Sequence, residues 1–272
     1  MVDRFKSWLR KDDGQSEEEL PEELWSPEMG SDYERFWDNM ARDRSGAYLA
    51  VAGEPFGEPA TEESLSAHGK ASADIIRGML SIGPEDRVLE VGVGVGRLAE
   101  HIAGHCKSFT GIDISKNMVR IARERLGVFN NVHFESHNKS DLSLFGDAEF
   151  DKVIFQVVLI HLDREDVFNY LRETERILSP GGLAWFQFYN LLHPRGFQEF
   201  RFAVDYMVEK GGKTRGRVHC YTAPEVRCLV EQAGLRVRDD LSALEMVEQD
   251  FGFEVPDRDW DYYLIAIGEK DG

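Results

Sequence analysis

Three glycines at alternate positions, Gly92, Gly94 and Gly96, follow the carboxylate of Glu90 in the run Arg87-Val-Leu-Glu-Val-Gly-Val-Gly-Val-Gly-Arg97. Residues of this kind bind rather than react. Glycine permits positive φ and lets a ligand approach the main chain closely. A helix starting just beyond would add free N–H groups and the positive end of its dipole. Together these features suit a nucleotide-like ligand. Asp113 falls roughly 20 residues further on, where a carboxylate can accept both hydroxyls of a ribose. A second cluster, Lys213-Thr-Arg215-Gly-Arg217-Val-His219, is basic within an acidic chain. Guanidinium groups bind phosphate, sulfate or carboxylate bidentately, so this run is a candidate anion site that His193, Arg195 and Tyr189 could join. A solvated loop is the plainer alternative. His101 and His105 stand at a zinc-binding spacing, but no third ligand or acidic partner follows them, and no metal is expected.

The elements that must position these residues are legible in the pattern. Arg87 to Val91 alternates and reads as a buried strand; Leu98 to Ile102 recurs at helical spacing, so the glycines form a strand-to-helix turn. Ser108 to Ile114 is a second strand, and Ser115 is a plausible N-cap for the helix after it. Asn131 to Glu135 is a third. Phe150 to Val158 is nearly continuously apolar, as suits a central strand buried on both faces. Asp163 opens a helix through Leu178, Ser179-Pro-Gly-Gly182 breaks it, and Leu183 to Tyr189 is the fifth strand. Residues 190–219 form a longer connection expected to carry substrate contacts. Thr222 and Glu225 make a capping box for a further helix; a sixth strand lies within Leu235 to Met246, and Asp261 to Ile267 is the last.

Before this core, residues 1–30 read as an acidic tail and 31–80 as a helical cap. Ala52 to Pro59 is a loop. Tyr33, Phe36, Trp37 and Met40 share one helical face, which serves equally a packing helix or a lid over a substrate.

Composition narrows the function classes. The 272 residues carry a formal net charge of −18, which disfavours nucleic acid and anionic membrane surfaces as partners. The three cysteines have no metal-like spacing and suit reduced thiols. No apolar run resembling a leader or a membrane span is visible, so a cytoplasmic protein is expected. Nothing in the sequence sets an oligomeric state.

Glu90-x-Gly92-x-Gly94-x-Gly96 resembles the first motif of class I S-adenosylmethionine-dependent methyltransferases. A dinucleotide fingerprint needs its third small residue one place later, where Arg97 stands. The run Gly-Ile-Asp113-Ile114-Ser-x-x-Met118 is similar to the family's second motif. Asn138 stands where the family usually has Asp or Asn, although His137 occupies a position where glycine is common. The strand ending in Gln156-Val-Val-Leu-Ile-His161-Leu-Asp163 resembles the fourth motif, and Arg176-Ile-Leu-Ser-Pro-Gly-Gly-Leu183 is a family phrase. The resemblance runs in order from about Ser81 to Ile267.

That resemblance implies a Rossmann-like sheet, mostly parallel, with the last strand antiparallel between the fifth and sixth, and with helices on both faces. It implies S-adenosylmethionine as cofactor, with Ile114 and Met118 on the adenine, Asn138 on its amino group and Gln156 at the methionine part. His161 would lie near the methyl group and is the first candidate base, ahead of His193 and His219. Tyr33, Trp37, His193, Arg195, Arg215, Arg217 and His219 are the candidate substrate contacts. Gln-Val-Val-Leu in place of Asn/Asp-Pro-Pro-Tyr disfavours adenine amino groups as acceptor. A small molecule methylated through oxygen is expected. A catalytically silent scaffold that keeps the cofactor fold is the alternative, and a nicotinamide enzyme a third.

Overall fold

The computed structural model describes residues 33–52, 60–213, 216–238 and 262–272. The acidic tail, the 53–59 loop, Arg215 and residues 239–261 lie outside the described residues.

Eight strands form one sheet in the order β3-β2-β1-β4-β5-β8-β7, with β6 beside the end of β5. The strands are β1 Arg87–Val91, β2 Ser108–Asp113, β3 Val132–Ser136, β4 Phe150–Phe155, β5 Leu178–Asn190, β6 Cys220–Tyr221, β7 Arg236–Arg238 and β8 Tyr263–Glu269. β1 to β5 run parallel. β8 is antiparallel to both β5 and β7, so the last strand does insert between the fifth and the strand expected after Leu235, which is β7. The chain winds outward from β1 to β3 and then returns to β4 on the other side of β1. That reversal leaves a crevice at the carboxyl ends of β1 and β4, the place where open α/β sheets bind ligands.

Each sheet face has its own helices. α3 (Glu62–Met79), α4 (Ala99–Ile102) and α5 (Lys116–Leu126) bury Ile76, Ile102, Val119 and Leu126 against Val88, Ile154 and Trp185. α6 (Arg164–Ile177) and α8 (Ala223–Gln232) bury Leu171 and Val226 against Leu89, Phe155 and Phe186 on the other face. Two short helices, α1 (Tyr33–Met40) and α2 (Arg44–Ala52), cross the carboxyl edge, and α7 (Pro194–Lys210) follows β5. The 31–80 region thus divides: α1 and α2 cover the edge, while α3 joins the layer under the sheet.

Two local readings need correction, and one strand was not foreseen. β4 stops at Phe155 rather than Val158, because Val157 adopts φ 61°. A β-branched residue rarely takes that conformation, and it turns the chain out of the ladder. α6, expected to run through Leu178, ends at Ile177, and Leu178 already pairs with Phe150. A register shift between Phe150 and Lys152 absorbs Ser179 to Gly182, so that segment is an irregular strand start rather than a separate loop. β6 is a two-residue strand with no pattern to announce it; Cys220 pairs with Tyr189.

Candidate active site

A cavity of about 460 Å³ opens at the carboxyl edge of β1, β2, β4 and β5, beneath α1 and α2. That size falls within the range of small-molecule sites, roughly 300–1,000 Å³. The glycine turn forms its floor. Gly92, Gly94 and Gly96 take φ 73°, 55° and 80°. A Cβ on Gly92 would lie 2.2 Å from Val158 Cγ2, and one on Gly94 2.8 Å from Val51 Cγ1. Gly96 faces away from the cavity, where a Cβ would meet Leu126 Cδ1 at 2.7 Å. The first two glycines therefore shape the cavity, and the third lets α5 pack close.

Asp113 ends β2 at the rim. Its Oδ2 accepts from Gly94 N–H and its Oδ1 from Ser115 N–H, each at 2.8 Å. Burial raises its pKa to about 6 against the pull of those two donors. Ile114 and Met118 line the adjoining wall with His137 and Ser140. The structure does not bring Asn138 there. Its amide is exposed and donates to Glu34 of α1 at 3.2 Å, while His137, beside it, lines the wall with its Nε2 2.8 Å from Asp141 Oδ1.

α1 is bolted over this wall. Tyr33 OH donates to Asp166 and accepts from Asp163 N–H. Glu34 pairs with Lys116 at 2.7 Å. Asp38 accepts from Ser115 Oγ at 2.5 Å and from Asn117 N–H at 3.1 Å. Ser115 in turn caps α5 by accepting from Met118 N–H. The helix that the spacing left open between packing and lid therefore forms the cavity roof: its buried Tyr33 and Phe36 and half-buried Trp37 all line the cavity.

His161 lies under that roof. Its ring meets Trp37 edge-on, with centroids 4.9 Å apart. Its Nδ1 is 3.3 Å from the Arg217 carbonyl. A carbonyl only accepts, so Nδ1 carries the proton and Nε2 keeps its lone pair. The half-buried ring lines the cavity, and desolvation pushes its pKa down to about 4. The imidazole is neutral at pH 7.

The basic run does not assemble as an anion site among the described residues. Arg217 donates to Asp163 and does not line the cavity. His219 Nε2 is buried, 3.8 Å from the same Asp163, and burial pushes it to about 4. His193 caps α7 by accepting from Arg195 N–H. Of the described residues of this group, Tyr189, Gly216 and Arg195 line the cavity, the Arg195 guanidinium 4.9 Å from the centre of the Tyr262 ring. Gln156 lines the cavity and accepts from Trp185 Nε1 at 2.9 Å. The sequence reading missed Arg97 and Gln187, both buried in the wall. A signal for Gln187 was present: a single amide interrupts Trp-Phe-Gln-Phe-Tyr in an otherwise apolar strand.

A family model described as a methyltransferase domain matches residues 88–182. The demethylmenaquinone methyltransferase of Tropheryma whipplei (strain Twist) is 30% identical over 173 residues, 58% of this chain and 70% of that protein. The O-methyltransferase cnsE of Penicillium expansum is 30% identical over 158 residues, 57% of this chain and 55% of that protein. Among solved structures, a chain of the complex between the Haloferax volcanii Trm112 methyltransferase activator and a methyltransferase superposes with a TM-score of 0.58 at 19% identity. It covers 87% of this chain and 98% of that one.

Proposed function

The chain belongs to the class I S-adenosylmethionine-dependent methyltransferases and acts on a small molecule, and from that premise we propose that the acceptor atom is an acidic hydroxyl oxygen, phenolic or enolic, on an apolar ring. The observation that carries the reading is His161: a neutral, half-buried imidazole on the cavity wall with its proton committed to a backbone carbonyl, which leaves Nε2 as the acceptor.

The residues present fit the cofactor. The Gly92–Gly94 floor is a cradle that a Cβ would fill. Asp113, anchored by two backbone donors, keeps further lone pairs for ribose hydroxyls. Glu90 has a buried oxygen, Oε2, without a hydrogen-bond partner among the described residues. When bound, S-adenosylmethionine supplies an electrophilic methyl group on sulfonium sulfur. Ile114 and Met118 would hold its adenine and Gln156 would face its methionine part.

The chain's own residues then select and activate the acceptor. Trp37 and Phe36 roof the cavity and exclude water, which places the nucleophile and strengthens polar contacts beneath them. His161 Nε2 takes the hydroxyl proton. Its depressed pKa decides which hydroxyls qualify. A phenol near pKa ~10 lies about 6 units above an imidazole at about 4, a cost of roughly 8 kcal/mol. A water-like alcohol near ~15.7 lies about 12 units above it, roughly 16 kcal/mol, which equals the whole barrier of an enzyme turning over at about 10 s⁻¹. An acidic hydroxyl is the acceptor that so weak a base serves best. Arg195, in the same cavity, supports the anionic character of such an acceptor. The O-methyltransferase among the relatives supports the same acceptor atom.

The test is a panel of hydroxylated aromatic compounds offered with labelled S-adenosylmethionine, beside versions with each hydroxyl blocked. The expected product is a methyl ether formed only when an acidic hydroxyl is free. Label recovered on nitrogen or carbon, or ethers of plain alcohols at equal rate, overturns the proposal.

A further inference from the structure

α7 presents an apolar face to solvent. Among the described residues seven large apolar side chains are exposed, and five of them, Leu192, Phe197, Phe200, Val204 and Val208, belong to α7 or to the turn that leads into it. Glu199 and Tyr206, on the opposite side of the same helix, are buried. Phe197, Phe200, Val204 and Val208 recur at i, i+3, i+7 and i+11, so they form one stripe. Phe197 is 51% exposed and Val208 73%. The stripe is about 17 Å long at 1.5 Å per residue. A continuous exposed apolar face marks an interaction surface.

Its layout says what fits it. The aromatic half comes first, with the Phe197 and Phe200 rings side by side at a centroid distance of 6.0 Å. The β-branched half, Val204 and Val208, follows on the next turns. A second α7 laid antiparallel, about a two-fold axis near Phe202, sets the aromatic half of each helix against the β-branched half of the other. Phe197 then lies beside Val208 and Phe200 beside Val204, so that large and small side chains meet across the contact.

The charges agree with the same arrangement. Arg201 and Asp205 are both exposed and stand on one flank of the stripe. Neither has an ion pair or a side-chain hydrogen bond among the described residues. Antiparallel helices bring the same flank of each copy together, so Arg201 of one faces Asp205 of the other, twice over. A stripe of this length is small beside the ~800 Å² per partner of a standard complex. The association it supports is weak and depends on concentration.

We propose that α7 is a self-association surface, whose Phe197 to Val208 stripe docks antiparallel on the same stripe of a second copy of this chain, with Arg201 against Asp205 at the rim.

The test is sedimentation velocity on the full chain from micromolar to submillimolar concentration. The buffer holds about 0.15 M salt, where a Debye length of ~8 Å screens the repulsion between two chains of net charge −18. A reversible monomer–dimer equilibrium is expected. Val208→Glu sets a carboxylate against the aromatic half of the other copy and should abolish the dimer. Arg201→Asp puts like charges together at both ends of the contact and should weaken the dimer about tenfold, as should Asp205→Arg. The double variant R201D/D205R restores the pairing with the signs exchanged and should dimerise within about threefold of wild type. All three positions are exposed, so these variants leave the core untouched. A dimer indifferent to Val208→Glu overturns the proposal, and so does a double variant no tighter than the single ones. A chain that stays monomeric throughout overturns it as well, in favour of a lipid surface if the protein floats with phosphatidylcholine vesicles and of a covering segment of the same chain if it does not.

Discussion

Replacing His161 by Gln tests the proton acceptor directly, because glutamine keeps a polar group of similar reach but cannot take a proton near neutral pH. General-base assistance contributes about 10²- to 10⁴-fold. An imidazole pushed down to about 4 is a weak base, so the lower end applies, and the single-turnover rate should fall about 100-fold. S-adenosylhomocysteine affinity should stay within about twofold of wild type, since His161 touches the acceptor side. The wild-type kcat/KM should hold level down to about pH 5 and then fall, with an acid limb near 4 rather than near the ordinary ~6.5 of histidine. That limb overlaps a stability effect whose sign is fixed. With its pKa near 4 in the fold and ~6.5 in the unfolded chain, His161 binds more protons when unfolded across that window. Its stabilising contribution is present above pH ~6.5 and is lost as pH falls toward 4; its ceiling is about 3 kcal/mol, lower if water enters the cavity. Rate and circular dichroism must therefore be read at the same pH values. An H161Q variant that keeps the wild-type single-turnover rate and acid limb would refute the assignment.

Asp113→Ala leaves Gly94 N–H and Ser115 N–H without their acceptor and removes the proposed ribose contact; calorimetry should show S-adenosylhomocysteine binding weakened at least tenfold, and unchanged affinity would exclude Asp113 from the site. Gly94→Ala forces a Cβ to 2.8 Å from Val51 at φ 55°, so thermal melts should show a loss of about 1–2 kcal/mol together with weaker cofactor binding. Asp38→Ala unfastens the roof from Ser115 and Asn117; hydrogen exchange of α1 should quicken while the sheet stays protected, and unchanged α1 protection would show that Tyr33 and Glu34 suffice. Arg87 and Ser179 hold the Asp151 pKa down to about 2. The stability this gives is present above pH ~4 and lost as pH falls toward 2, so Arg87→Met should cost about 1 kcal/mol in urea melts at pH 7 and little at pH 2, the figure being reduced for an exposed pair.

The parts of this protein that were legible in the sequence are those where one residue type answers one physical demand. Positive φ at Gly92 and Gly94 admits little else, so the turn and the ligand side of the sheet followed from spacing alone. Asp113 ends a strand and meets the glycine turn because the two strands run parallel in register, Val91 beside Ile112. Where neighbours from distant sequence decide the outcome, pattern was silent or misled. Apolar alternation through Val157 said strand, but the turn into the His161 segment needed a left-handed residue and took a strained valine to make it. The basic run from Lys213 to His219 read as an anion site because Asp163, which accepts from Arg217, lies some fifty residues earlier.

Arg97 shows the same limit from the other side. In the sequence it served only to exclude a dinucleotide fingerprint, since an arginine after a glycine turn is usually a solvated residue on a helix. Its burial depends on Gly69, a residue in another helix whose missing side chain lets the arginine lie along α3. No local pattern couples those two positions. The clue that links sequence to site is instead an accounting of polar groups: Glu90 and Gln187 stand in two apolar strands and line the cavity, and Glu90 Oε2 and Gln187 Oε1 find no donor among the described residues. Stability alone would replace both with apolar residues, because buried pairs of this kind rarely improve on a packed core. Such buried acceptors are preorganised, their desolvation met during folding, so that a ligand with donors binds without reorganising the wall.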